Sequence, residues 1–215
     1  MNTYIFIFEV IGTIAFAISG ALTGMRREMD IFGIAVLGIT TAVGGGMVRD
    51  AILGITPVSA LIRPEFILIA GATSLLIFPT LINKHIVLNK NLFEKIFLIA
   101  DSIGLGIFTA YGFLVGFEAG FSEWFLLISV AVITGVGGGV MRDIFALQKP
   151  IIFVRHIYAT ASIAGAIVCY AVNLYFNINW AIVLCFIVVF ILRILSAHLD
   201  LDLPKAKYYH EFNLK

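Results

Sequence analysis

Apolar residues run through this chain in long unbroken blocks. Residues 31–48, 66–83, 124–141 and 157–192 contain no Lys, Arg, Asp or Glu. Residues 3–25 contain only Glu9, and residues 96–117 only Asp101. A bilayer-spanning helix needs about 20 mostly apolar residues, and each block is long enough. The block 157–192 is too long for one span. Its 36 residues would reach roughly 54 Å as a helix, against a hydrocarbon core of about 30 Å. Asn173, Asn177 and Asn179 interrupt it. The pattern predicts seven helices, roughly 3–24, 31–53, 64–83, 94–117, 122–146, 155–175 and 179–198.

Composition agrees. The 215 residues are 61% hydrophobic and 13% charged, with a mean hydropathy of +1.06. A soluble domain averages about 25% charged residues. The expected class is an all-α polytopic membrane protein. Residues 1–9 lack a basic stretch and no cleavage-like site follows, so the first span is expected to remain in the membrane. Cys169 and Cys185 lie in apolar spans and read as small core residues. The net charge of +1 points to no nucleic-acid partner. No P-loop, dinucleotide, transition-metal, Ser/His, paired-Asp or HExxH pattern appears, so neither an enzyme nor a cofactor is expected. His85, His156, His198 and His210 fall in or beside loops or the tail, without metal spacing.

Basic residues assign the faces. Seven spans put the termini on opposite sides. The C-terminal side holds Arg26, Arg27, Lys84, Lys90, Lys95, Arg142, Lys149, Arg155, Arg193, Lys205, Lys207 and Lys215; the other holds Arg49 and Arg63. The positive-inside rule then places the N-terminus outside and the C-terminus in the cytoplasm. The stretch 205–215, with Tyr208, Tyr209 and Phe212, reads as a solvated or interfacial tail. Loop basic residues could also touch anionic lipid headgroups.

Two segments repeat almost letter for letter: GGGMVRD at 44–50 and GGGVMRD at 137–143. They belong to a longer repeat. Glu9-Val10-Ile11-Gly12 resembles Asp101-Ser102-Ile103-Gly104. Phe16, Gly20 and Gly24 match Phe108, Gly112 and Gly116; Pro57 matches Pro150, and Arg63 matches Arg155. The chain divides into a first three-helix unit at 1–90, a second at 91–177, and a seventh helix with tail at 178–215. A unit of three crossings must be followed by a copy of opposite orientation, an inverted repeat. Glycine-interrupted spans at matching places in such repeats point to a transport site near the midplane.

Gly44, Gly45, Gly46 and Gly137, Gly138, Gly139 lie just past the middles of helices 2 and 5. Each Gly costs on the order of 1 kcal/mol relative to Ala in a helix. Three together favour a kink or local unwinding. Freed carbonyls near Gly44 and Gly137 would form a monovalent-cation site, provided they line a cavity. The hydroxyls of Thr40, Thr41 and Thr134 could add oxygens. Close helix packing is the competing reading, since small residues let backbones approach. Packing alone asks for spacing by four, as in Gly12, Gly20 and Gly24, and not for triplets followed by Arg-Asp.

Arg49 and Asp50 are neighbours in sequence and should not face each other on a helix. Depth in the membrane suggests the pairs Glu9–Arg49 and Asp101–Arg142. An unpaired Arg at a helix centre costs about 2.5–3.5 kcal/mol on insertion scales. Such pairs could shape an ion path or only tie helices together. Asp50 and Asp143 could cap the following loops or attract cations.

Seven spans carrying GGGMVRD on helix 2 and GGGVMRD on helix 5 resemble the trimeric intracellular cation (TRIC) channel family, in its short prokaryotic branch, also labelled UPF0126 or glycine transporter. The resemblance covers roughly residues 4–198. It implies a homotrimer with one pore per protomer, lined by kinked helices 2 and 5, and permeation by K⁺ or Na⁺ in a bacterial inner membrane. By position the kinks fall at Gly44–Gly46 and Gly137–Gly139, followed by Arg49, Asp50, Arg142 and Asp143. The chain lacks the long basic tail typical of the animal members, and helix 5 has no lysine before its glycines. The leading expectation is a passive, potassium-permeable channel gated at the glycines. Membrane lipids are the only other partner expected. A secondary transporter of a small solute such as glycine is the alternative.

Overall fold

Long apolar blocks fold as helices because no water is present in lipid to satisfy open backbone groups. The computed structural model describes residues 3–82, 90–154 and 157–199. Its helices are α1 (Thr3–Arg26), α2 (Ile31–Leu53), a short α3 (Ser59–Ile62), α4 (Glu65–Ile82), α5 (Lys90–Glu118), α6 (Trp124–Phe145), a short α7 (Ile151–Val154), α8 (Ala159–Tyr175) and α9 (Ile178–His198). Five of them, α1, α2, α5, α6 and α9, are long and apolar enough to cross a membrane; α4 and α8 carry shorter apolar stretches. The expected helix at 155–175 begins later, at Ala159, after a turn. The expected interruption near Asn177 is a helix start, where the Asn177 side chain accepts from Trp180 N at 3.1 Å. Lys84, His85, Arg155, His156 and the tail 200–215, with Lys205, Lys207, His210 and Lys215, lie outside the described residues.

α1 and α5 pack antiparallel at the centre, with Glu9 beside Arg63 and Tyr111 at one end and Ser19 beside Asp101 at the other. We call the face where α1 starts the first face and the opposite one the second face. Phe16 and Phe108 stack at the middle of this pair, with centroids 5.2 Å apart and planes at 26°. Small residues set the spacing. A Cβ on Gly20 would collide with α2 at Gly38 and Thr41; a Cβ on Gly112 would collide with α6 at Ala131 and Thr134. Contacts thus recur at positions 92 or 93 apart. Isoleucine, leucine and phenylalanine cover the outside: Leu68 is 69% exposed and Leu76 74%. In lipid such side chains have no drive to hide, and close van der Waals contact between small residues holds the helices together.

Candidate functional site: two buried ionic clusters around a glycine crossing

α2 runs as continuous helix through Gly44–Gly46, and α6 through Gly137–Gly139. The expected unwinding is absent, and with it the freed carbonyls. The physical reason lies in how the two helices meet. A Cβ on Gly45 would strike the carbonyl oxygen of Thr134, and one on Gly138 the carbonyl oxygen of Thr41. A Cβ on Gly137 would come within 3.0 Å of the Gly45 Cα. The central glycines are where α2 and α6 touch backbone to backbone. The expected hydroxyls also turn inward on their own helices. Thr40 donates to Val36 O at 2.8 Å, Thr41 to Leu37 O at 2.6 Å and Thr134 to Val130 O at 2.7 Å.

On the first face, Arg49 folds back onto its neighbour. Its Nε and Nη2 donate to Asp50 Oδ1 at 2.8 and 2.7 Å. This corrects the expected Glu9–Arg49 pair. Adjacent Cβ atoms diverge on a helix, but arginine's three methylenes let the guanidinium curl back across that gap. Glu9 is taken instead by Arg63, which donates from Nη1 to Glu9 Oε2 at 2.9 Å. Arg63 also reaches Glu65 at 3.2 Å, lies 4.4 Å over the Phe66 ring, and contacts the Tyr111 hydroxyl at 3.4 Å. Arg49 lies 5.2 Å over the Tyr111 ring. Asp50 Oδ2 accepts from Ser59 N at 2.6 Å, which anchors the start of α3.

On the second face, Arg142 donates from Nη1 to Asp101 Oδ1 and to Ser19 Oγ, both at 2.5 Å, so the expected Asp101–Arg142 contact is present. Its Nε donates to Asp143 Oδ1 at 2.9 Å. Asp143 Oδ2 accepts from Ile151 N at 2.7 Å and anchors α7 as Asp50 anchors α3. Gln148 Nε2 donates to Asp143 Oδ1 at 2.8 Å. Arg142 lies 4.9 Å over Phe97. Arg193, counted in the sequence only as a topology signal, enters from α9. It lies 3.4 Å from Asp101 Oδ2, donates to Ile157 O at 3.4 Å, and stacks 4.7 Å over Tyr158.

The sequence-expected charges therefore separate into two groups, with Glu9, Arg49 and Asp50 in one and Asp101, Arg142 and Asp143 in the other. Arg63, Tyr111, Ser19, Tyr158 and Arg193 complete them. The repeat match of Arg63 to Arg155 was a signal for Arg63. Ser19 and Tyr111 are themselves 92 apart, yet their types differ and hide the relation. Beside the first cluster lies a cavity of about 40 Å³, lined by Glu9, Thr13, Gly46, Arg49, Asp50 and Arg63 among others. That is room for about two or three water molecules. The second cluster is sealed, with Arg142 and Asp101 at 0% exposure. Among the described residues no group of His, Cys, Asp and Glu is arranged to hold a metal ion.

A polytopic helical bundle that buries two arginine–carboxylate networks around a helix crossing is a membrane protein with polar chemistry inside it. Comparison with known proteins agrees. The family model described as "Glycine transporter" matches twice, at residues 6–81 and 98–173. The UPF0126 inner membrane protein YadS of Escherichia coli (strain K12) is 35% identical over 198 residues, covering 91% of this chain and 93% of that protein. A solved TRIC cation channel is 37% identical with a TM-score of 0.82, over 94% of this chain and 97% of that one. The TRIC orthologue from Rhodobacter sphaeroides is 29% identical with a TM-score of 0.85, over 93% of this chain and all 100% of that one. The chain belongs to the UPF0126 membrane proteins, the prokaryotic TRIC family.

Proposed function

We propose that the chain is a monovalent-cation channel, permeable to potassium, with one ion path per protomer between α2 and α6. The observation that carries this reading is the small cavity where Glu9, Asp50 and Gly46 meet beside the α2–α6 crossing. It offers carboxylate oxygens beside a crossing where glycines bring the backbones of α2 and α6 into contact. The similarity to solved TRIC cation channels supports the same class.

In this reading the path runs from the first-face cavity, past Gly44–Gly46 and Gly137–Gly139, to the second cluster. It is shut where Gly45 meets Gly138. Opening parts or bends α2 and α6, which glycine permits because it has no side chain to clash and little preference for helix. Bending would aim carbonyls of the two triplets, with Thr40, Thr41 and Thr134, at K⁺ or Na⁺. Dipoles without fixed charge bind such an ion weakly enough to release it. Arg49 and Arg142, neutralised by Asp50, Asp101 and Asp143, shape the path without repelling cations.

The proposed architecture has seven spans in an inverted 3+3 repeat with α9 added, units 1–90, 91–177 and 178–215. The double match of one family model at an offset of 92 supports the repeat. So do the antiparallel contact of α1 with α5 and the recurrence of contacts at matched positions. The basic-residue bias supports an outer first face and a cytoplasmic second face in a bacterial inner membrane. The trimeric name of the Rhodobacter relative supports a homotrimer surrounded by lipid.

Purified protein in a planar bilayer under opposed K⁺ and Na⁺ solutions tests the function. Unitary steps with a reversal potential set by the cations are expected. Saturable glycine uptake without unitary steps would overturn the reading in favour of a transporter.

A further inference from the structure

In the first cluster the second arginine, Arg63, comes from within the repeat. Arg63 reaches Glu9 and stacks on Phe66. Glu9 lies 92 positions before Asp101, and Phe66 lies 92 before Tyr158. On the second face, among the described residues, the arginine that reaches Asp101 and stacks on Tyr158 is Arg193, from α9, outside the repeat. Arg193 thus fills the role that Arg63 fills on the first face, but from a different helix.

Its setting differs too. Arg63 keeps 22% of its side chain exposed beside a cavity, whereas Arg193 keeps 3% and Asp101 none. Asp101 is shared: Oδ1 faces Arg142 on α6 and Oδ2 faces Arg193 on α9. Arg193 also donates to Ile157 O, in the turn that leads into α8. One guanidinium therefore ties α9, the start of α8 and the central helix α5 together at the sealed end of the bundle.

We infer that Arg193 is a positioning residue that latches the second face shut by holding Asp101, so that α9 governs closure there. This rests on the channel reading above. Opening on the second face must part Asp101 from Arg193 or carry α9 along. A charged hydrogen bond inside the bundle is strong enough to bias such an equilibrium about tenfold or more.

The test uses the full-length protein reconstituted in planar bilayers. Arg193→Met removes the guanidinium while keeping a flexible apolar side chain for α9 packing. It is expected to shift the closed-to-open ratio about tenfold toward open, with the K⁺/Na⁺ reversal potential unmoved. Arg193→Lys keeps the charge but lacks the fork that serves Asp101 and Ile157 together, so it shifts gating less, in the same direction. Adding Asp101→Asn to Arg193→Met is expected to shift gating by less than the sum of the single changes. Wild-type gating in Arg193→Met overturns the latch. If Arg193→Met fails to assemble, wild-type gating in Arg193→Lys overturns it instead. Hydrogen exchange of the last turns of α9 gives a readout that needs no current. It should quicken in either variant, and unchanged protection overturns the latch even if the wild type shows no unitary steps. Absence of unitary steps in the wild type counts against the channel reading alone.

Discussion

The two ionic clusters use the same parts and reach different states. Each takes a carboxylate from a central helix, an Arg-Asp pair from a glycine-bearing helix, and a side chain from the partner central helix. At the first face that last side chain is Tyr111, whose ring lies under Arg49. At the second it is Ser19, which accepts directly from Arg142. A ring keeps the guanidinium at arm's length and leaves room; a small hydroxyl lets it close in. The first cluster borders a cavity, and the second is sealed by Arg193. A repeated motif therefore specifies the ingredients of a site, and the residues around it decide whether the site is open or shut.

Removing one carboxylate from each cluster gives the largest contrast. Asp101→Ala leaves the fully buried Arg142 and the nearly buried Arg193 short of a partner, which costs about 3–5 kcal/mol. Glu9→Ala releases Arg63, whose side chain is 22% exposed, so water offsets much of the loss and about 1 kcal/mol is expected. Thermal unfolding in detergent compares the two, and equal losses would erase the distinction between sealed and open clusters.

Methyl groups at the crossing come next. Gly45→Ala and Gly138→Ala each force a Cβ into a carbonyl oxygen of the facing helix, an overpacking that costs about 1–3 kcal/mol. At Gly46 the nearest atom is Arg49 Nη2, at 3.6 Å. Gly46→Ala should be neutral or stabilising by up to about 1 kcal/mol through helix propensity. A uniform effect across the triplet would mean that the crossing is not where these helices meet.

Smaller effects separate the partner side chains. Ser19→Ala deletes a short bond to a buried arginine and is expected to cost about 1–2 kcal/mol. Tyr111→Phe keeps the ring under Arg49 but loses the hydroxyl's hydrogen bond with Glu9 and its 3.4 Å contact with Arg63, so it should cost about 0.5–1 kcal/mol. Paired unfolding curves decide whether ring or hydroxyl matters at the first face. The smallest change is expected at the exposed Arg26–Glu94 pair, with side chains 45% and 35% exposed. Arg26→Ala should cost less than about 0.5 kcal/mol, falling further in high salt.

Much of the fold could be read from the chain because lipid imposes a simple rule. Backbone groups must bond within their own segment, so long uncharged blocks become helices. Helix positions followed closely, and the Asp101–Arg142 contact came from matching depths in two such blocks. The short α3 and α7 did not, because their starts depend on Asp50 and Asp143 reaching the Ser59 and Ile151 amides across a turn. The Glu9–Arg49 expectation failed for a similar reason. Depth along two helices limits which charges can meet, but Arg63 approaches Glu9 from the turn between α3 and α4 and leaves Arg49 to Asp50.

The glycine triplets divide the same way. At their centres they mark a place where a side chain cannot be tolerated. Their sequence does not distinguish a broken helix from a close crossing, because both need the same absence of Cβ. Packing of α2 against α6 settled the ground conformation as a crossing. Membrane residence, helix content, the doubled motif and the need for buried counter-charges were thus determined by the order of residues alone, through local backbone bonding and the cost of charge in lipid. The partner of each arginine, the backbone contact of Gly45 with Gly138 and the placement of Arg193 against Asp101 were decided only by the tertiary structure. Those depend on the direction from which distant helices approach, and no local pattern along one helix encodes that direction.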